Sequence, residues 1–168
     1  AEFTEHMLEV TLGPGMLSHN YDGLQNDLDK MTGVFLKPGE YTYPLDNDRL
    51  WRFIPLAKVG EQVKASDWLG EVEENFQKLK IMTPFQLEGT YTIKSIVAEG
   101  DYRIIDTVAV LENAKGEQLE VNMIQKWPVK LAMTNYQEKP RPFKLLETGV
   151  RSIDTLNPIV EGGTGFIP

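Results

Sequence analysis

From Gly33 to about Glu120 the sequence never runs far without a turn signal. Lys37-Pro38-Gly39, Asp46-Asn47-Asp48, Val59-Gly60-Glu61, Glu88-Gly89, Glu99-Gly100-Asp101 and Asn113-Ala114-Lys115-Gly116 punctuate it in turn. Gly and Pro interrupt helices, and Asn and Asp bond back to their own backbone in turns. The short apolar runs between them suit strands. Trp51–Ala57, Trp68–Glu73, Gly89–Ala98, Thr107–Glu112 and Gln118–Ile124 carry the β-branched and aromatic residues that strands favour. Many short strands joined by tight turns predict a small barrel or sandwich, not βαβ units.

An internal near-repeat narrows this further. Lys58-Val59-Gly60-Glu61-Gln62-Val63, followed by Asp67-Trp68-Leu69-Gly70-Glu71-Val72-Glu73, is echoed by Ala98-Glu99-Gly100-Asp101-Tyr102, followed by Asp106-Thr107-Val108-Ala109-Val110-Leu111-Glu112. Each copy has a Gly-acid turn, a gap, an Asp, then a strand ending in Glu, with one residue of slippage between them. A repeat of this length implies one supersecondary unit used twice. Trp51, Phe53, Trp68, Phe76, Phe85, Tyr91 and Tyr102 mostly fall on the strand candidates and read as core or half-buried sheet surface.

The flanks have a different character. Met7–Leu12 alternates as a strand and stops at Gly13-Pro14-Gly15. Leu24, Leu28 and Met31 share one helical face, which predicts a short helical turn over 24–31. Lys126-Trp127-Pro128-Val129 closes the β region, and Gln137-Glu138-Lys139-Pro140-Arg141-Pro142 reads as an extended linker, since proline fits neither helix interiors nor central strands. Val150–Leu156 is predicted as a short helix, and Phe166-Ile167-Pro168 as the start of a strand.

Composition excludes several roles. The net charge is −8, so the surface repels phosphate backbones and anionic lipid, and no basic stripe offsets this. Nucleic-acid binding is set aside. Cysteine is absent, which removes disulfides and thiolate sites and fits a reducing compartment. No apolar run approaches the ~20 residues of a bilayer span, and residues 1–7 lack the basic and apolar regions of a signal peptide. Catalytic constellations are wanting too. Gly162-Gly163-Thr164-Gly165 has no following Lys and hydroxyl residue to make a phosphate cradle and reads as a turn. Asp46-Asn47-Asp48 lacks the Gly and distal Glu of a calcium loop. His6 and His19 have no partners at metal or catalytic spacing and read as bystanders. Catalytic, cofactor-binding and metal-site residues are therefore expected to be none. The candidate interface is Lys126, Trp127 and Pro128, where a tryptophan beside a proline marks a module edge and has the makings of an anchor.

Three segments carry a resemblance to a known family. They are Leu12-Gly13-Pro14-Gly15-Met16-Leu17 with Tyr21-Asp22-Gly23-Leu24-Gln25, then Gln125–Val129 with Pro140-Arg141-Pro142, and finally Thr148–Leu156 with Pro158 and Gly162-Gly163-Thr164. In this order they resemble the catalytic A subunit of V/A-type rotary ATPases, over nearly the whole chain. Asn26-Asp27 stands where that family usually has Arg-Pro, Asn157 replaces an aromatic, and Phe166 replaces a small residue.

The resemblance implies a mainly β fold. A small barrel-sandwich hybrid module, similar to biotinyl/lipoyl domains, is flanked by partial segments of an α/β nucleotide-binding domain. The implied divisions are 1–32 (start of the nucleotide-binding region), 33–125 (β extension), 126–147 (linker) and 148–168 (the approach to a phosphate loop that would follow Pro168). The parent would use Mg-ATP and couple its hydrolysis or synthesis to proton or sodium transport. Its expected partners are the B subunit and the peripheral stalk, with no direct membrane insertion, as part of the cytoplasmic V1/A1 sector. The 168 residues are expected to be inactive alone and to serve as a docking extension. The alternative is a stand-alone carrier module with a prosthetic group on Lys78 or Lys80, although neither lies in the usual Met-Lys-Met or Asp-Lys-Ala context.

Overall fold

A computed structural model describes residues 7–31, 33, 35, 39–134 and 141–166. The chain divides into two units, Ala1–Tyr136 and Gln137–Pro168. His6, Ile167, Pro168 and most of the 137–142 stretch lie outside the described residues.

Among its described residues the first unit holds ten strands: β1 (Glu9–Leu12), β2 (Leu50–Pro55), β3 (Gln62–Val63), β4 (Trp68–Glu74), β5 (Gln77–Met82), β6 (Tyr91–Ile96), β7 (Gly100–Arg103), β8 (Ala109–Asn113), β9 (Gln118–Val121) and β10 (Gln125–Pro128). Two four-stranded antiparallel sheets form the body, in the orders β5-β4-β2-β7 and β3-β6-β8-β9. Each repeat copy therefore lends its short strand to the other copy's sheet: β7 borders β2, and β3 borders β6. The repeated aspartates do the same job in both copies. Asp67 Oδ2 accepts from the Lys64 backbone N–H at 2.7 Å, and Asp106 Oδ2 accepts from that of Arg103 at 2.9 Å. Each closes the turn between the short strand and the long one, a local bond that Asp makes readily.

Burial follows the strand alternation. In β2, Trp51 and Phe53 are buried while Arg52 faces out. One core cluster gathers Trp51, Phe53, Val72, Ile81, Ile104 and Val108; the other gathers Val63, Leu69, Ile93, Ala109, Leu111 and Val121. Removing these side chains from water drives the fold at about 1.5–3 kcal/mol per large side chain.

Several expectations need correction. The helical turn predicted over 24–31 shrinks to one 3-10 turn, Leu28–Lys30, because Asp27 accepts from the Asp29 backbone N–H and stops the coil from extending backwards. The strand predicted over 118–124 ends at Val121, where Asn122 turns the chain by accepting from the Ile124 N–H. Strands β3, β5, β7 and β10 are additions that the turn signals did not mark. Phe166 lies in no strand.

In the second unit, the predicted helix forms as α1 (Arg151–Leu156). Asp154 organises its start, accepting from Thr148 N–H, Thr148 Oγ1 and Gly149 N–H at 3.1, 2.6 and 3.0 Å. These bonds hold the Asp154 carboxyl below its usual pKa, the Thr148 hydroxyl bond foremost. An isolated bridge joins Leu145 to Val160. No described residue of this unit is buried.

Candidate interface and polar clusters

The candidate interface lies on β10, which pairs antiparallel with β1 so that Trp127 faces Val10 and Pro128 faces Glu9. Both strands of a two-stranded ribbon are edge strands, a setting that tolerates a proline without an N–H to donate. The structure splits the three candidates. Lys126 is exposed, Trp127 is half-buried and Pro128 is buried. Trp127 Nε1 donates to the Leu131 carbonyl at 2.8 Å, and its ring meets Phe85 edge-on with centroids 5.9 Å apart. Part of the tryptophan is thus used internally. Gln125 ties the ribbon to the barrel, donating to the Met82 carbonyl and accepting from the Phe85 N–H.

The β4–β5 hairpin turns on Asn75 and Phe76, both left-handed at φ 49° and 63°. Lys78 and Lys80 lie on β5 rather than in the turn, and both reach Glu71, at 2.8 and 2.5 Å. Their hydrogen bonds, Lys78's first, draw the Glu71 carboxyl below its usual pKa, and the Lys78 ammonium is raised in return. Lys80 also stands 4.9 Å from the Trp68 ring centroid. Lysines held in a strand against a shared carboxylate do not occupy the hairpin tip as a carrier lysine does; the tip is Phe76, predicted in the core or on half-buried sheet but 96% exposed because the turn lifts it off both strands. The geometry counts against the carrier alternative.

Glu74, at the end of β4, is buried and accepts from the backbone N–H groups of Gly15 and Leu17 at 2.9 and 3.1 Å. This bond pair draws the Gly13-Pro14-Gly15 turn onto the hairpin. Between the two lies a mostly apolar cleft of about 320 Å³, lined in part by Leu12, Met16, Leu79, Ile81 and Phe85.

Residues 19–30, where a helical turn is predicted over 24–31, form a second polar cluster. Asp22 accepts from Leu24 N–H, Asn26 N–H and Asn26 Nδ2, and Asn26 chiefly lowers its pKa. Asn26 and Asp27, the pair that departs from the family pattern, are both buried. Asn26 Oδ1 accepts from the Thr42 N–H at 3.0 Å, while the Asp27 N–H donates to Thr42 Oγ1 at 2.7 Å. His19 Nδ1 stands 3.2 Å from Asp27 Oδ2 and 3.9 Å from Asp29 Oδ2. The neighbouring Tyr21 hydroxyl is raised above its usual pKa by burial first, then by the negative charge of Asp27. The missed signal was the run of Asp22, Asn26, Asp27 and Asp29, which folds inward because Thr42 supplies partners from a distant stretch of chain.

The other motifs remain turns. Asp46 Oδ1 accepts from the Asp48 N–H at 3.0 Å in an exposed loop. Gly162-Gly163 is a tight turn closed by Gly163 N–H to the Val160 carbonyl at 2.9 Å, and no helix follows it among the described residues. A triphosphate needs several converging N–H groups and a lysine, so this turn does not fit one.

Comparison with known proteins completes the picture. Over an aligned length of 170 residues the chain is 46% identical to the V-type ATP synthase alpha chain of Borrelia hermsii, covering 99% of this chain and 29% of that protein. The alpha chains of Treponema denticola and of Borreliella burgdorferi strain B31 are each 44% identical over 99% of this chain, which covers 29% and 30% of them respectively. The chain thus spans less than a third of the length of these relatives. Among the described residues no helix is long and apolar enough to cross a membrane. Residues 42–130, which take in both four-stranded sheets, match the ATP synthase alpha/beta subunit barrel-sandwich domain, and the chain belongs to that family.

Proposed function

We propose that these residues are part of the catalytic alpha (A) subunit of a V-type ATP synthase, and that they serve it as a docking extension rather than as its reaction centre. The observation that carries the reading is the 44–46% identity to V-type alpha chains across 99% of the chain. On this reading the whole subunit binds Mg-ATP, and its turnover is coupled to proton or sodium transport. It works beside a B subunit, at the cytoplasmic face of a membrane sector. The nucleotide chemistry belongs to other residues of the parent.

The docking role draws on the fold's division of labour. Several charged side chains of the barrel are engaged in local pairs, such as Glu71 with Lys78 and Lys80, and Arg103 with Asp106. Lys126 and the half-buried Trp127 sit on one strand of a two-stranded ribbon. The partner is the peripheral stalk, and with a net charge of −8 the encounter favours a basic surface and weakens with salt.

Two titrations test this. Mg-ATP titrated calorimetrically into the 168-residue chain should give no binding heat, whereas the full-length subunit should give a saturable isotherm. Micromolar binding by the 168 residues would place a nucleotide site inside them and overturn the division of labour. Purified peripheral-stalk subunits should bind the same chain, less tightly at high salt and less tightly after Trp127→Ala. Failure to bind would remove the docking role and leave the family assignment intact.

A further inference from the structure

The cluster around Asp27 holds more than a turn requires. Asp27 is completely buried. Its Oδ1 accepts from the Asp29 N–H at 3.1 Å, but its Oδ2, equally cut off from water, accepts no hydrogen bond. Two cationic or potentially cationic groups stand near that oxygen: His19 Nδ1 at 3.2 Å and Lys30 Nζ at 3.3 Å. The Lys30 contact is an attraction without hydrogen-bond direction, from a side chain that is 44% exposed and also 3.4 Å from the Tyr43 carbonyl. A buried carboxylate oxygen held only by a loose pair is unusual, since buried acceptors are nearly always met by a hydrogen bond.

We infer that His19, Asp27 and Asp29 form a binding site for a divalent first-row transition ion of the zinc class. One donor atom from each lies within 4.8 Å of the other two. A tetrahedral ion with bonds of about 2.0–2.2 Å sets neighbouring ligand atoms roughly 3.4 Å apart. The His19–Asp27 edge of 3.2 Å already has that length, and the His19–Asp29 edge of 3.9 Å is a few tenths of an ångström too long. Asp29 is 58% exposed and free to close the difference. The other two ligands sit on backbone that is already fixed. Leu28 N–H donates to the Asn20 carbonyl at 2.9 Å, and Asp27 N–H is held by Thr42. The Asp29 N–H on Asp27 Oδ1 orients that carboxylate so that Oδ2 faces His19, the kind of outer support that metal ligands need.

The donor set selects the ion. One imidazole and two carboxylates suit zinc, cobalt, nickel or manganese, whereas calcium and magnesium demand six or more oxygens. Three protein ligands leave at least one position to water. The ammonium of Lys30 competes with the ion for Asp27 Oδ2, so binding requires Lys30 to swing into solvent. This inference stands independently of the parent's activity.

Titration with Co²⁺, followed by visible absorption, and with Zn²⁺, followed by calorimetry, tests it on the 168-residue chain. The expected result is one saturable ion per chain, with the intensified cobalt bands of a low-coordinate site. His19→Gln should weaken binding roughly tenfold or more. Lys30→Gln should tighten it several-fold by removing the competitor, with circular dichroism showing that both variants keep the fold. No saturable binding, binding indifferent to His19→Gln, or weaker binding in Lys30→Gln would each overturn the site, the last by showing that Lys30 merely holds the loop together.

Discussion

Among the glycines, Gly70 has the least room for a side chain, and replacing it with alanine isolates the cost of overpacking. A Cβ built there would lie 2.3 Å from both Cε2 and Cζ of Phe53 and 2.8 Å from the Ile54 carbonyl oxygen. Phe53 is fully buried, so its ring has no solvent to retreat into, and the Ile54 carbonyl belongs to the facing strand. Overpacking of a dense core typically costs about 1–3 kcal/mol, and the backbone contact argues for the upper half of that range. Alanine recovers about 0.4–1 kcal/mol by restricting the unfolded chain. The net loss should be about 1.5–2.5 kcal/mol, which lowers Tm by roughly 5–12 °C for a domain of this size. Gly116→Ala is the control. Its φ is +83° and nothing lies within 4 Å of the built Cβ, so it carries backbone strain of about 1 kcal/mol and no clash. Thermal and urea unfolding followed by circular dichroism gives both values. A second substitution, Phe53→Leu, should cost less in the Gly70→Ala background than in the wild type, because the offending ring is gone. If Gly70→Ala unfolds within half a kcal/mol of wild type, or no worse than Gly116→Ala, the packing argument fails.

Two further outcomes follow from the same hairpin. The folded pKa of Glu71 lies below its unfolded value, so its pairing with Lys78 and Lys80 stabilises the protein above the ordinary carboxylate range and is lost as pH falls through the folded value. Glu71→Gln should therefore cost about 1 kcal/mol at neutral pH, held down by the exposure of Lys78, and the gap from wild type should close in acid, as read from urea midpoints across pH. Phe76→Gly should stabilise the protein by about 0.5–1 kcal/mol in the same assay, because Phe76 is 96% exposed at a φ of 63° and glycine takes that conformation without strain.

The legibility of the fold was uneven for physical reasons. The repeat was visible because its glycines and aspartates do local work: Asp67 and Asp106 each close a turn of the same length. Strands β2, β4, β6 and β8 were visible because they carry most of the core. β5 was hidden because the turn before it uses Asn75-Phe76 where a glycine would have announced it. β3 was hidden because two residues cannot show alternation. The polar cluster was illegible for another reason. His19 and Asp27 meet because Asn20 and Thr42 anchor the intervening chain, and no spacing rule within 19–29 encodes Thr42, which comes from outside that stretch. Of the candidate interface, the position of Trp127 at a module edge was readable. Its engagement with Phe85 and Leu131 was not, since both contacts depend on how β10 lies against the hairpin region.

A repeated sequence unit leaves two architectures open: two copies side by side, or two copies interlocked. The exchanged strands decide between them. Val63, on β3, packs into the cluster with Ile93 and Leu111 of the second sheet. Tyr102, on β7, meets Phe53 of the first sheet edge-on, with centroids 6.4 Å apart. Removing either short strand would therefore strip an apolar contact from the sheet it joins and leave β2 or β6 with an open edge. Neither copy completes its own hydrophobic surface, so both halves are needed to close the barrel. The constraint bears on the strands and their aspartate turns. It leaves the hairpin tip at Phe76, the β1–β10 ribbon and the 19–30 loop free to vary, and those are the places where this chain displays an exposed aromatic, a half-buried tryptophan and an unmet buried carboxylate oxygen.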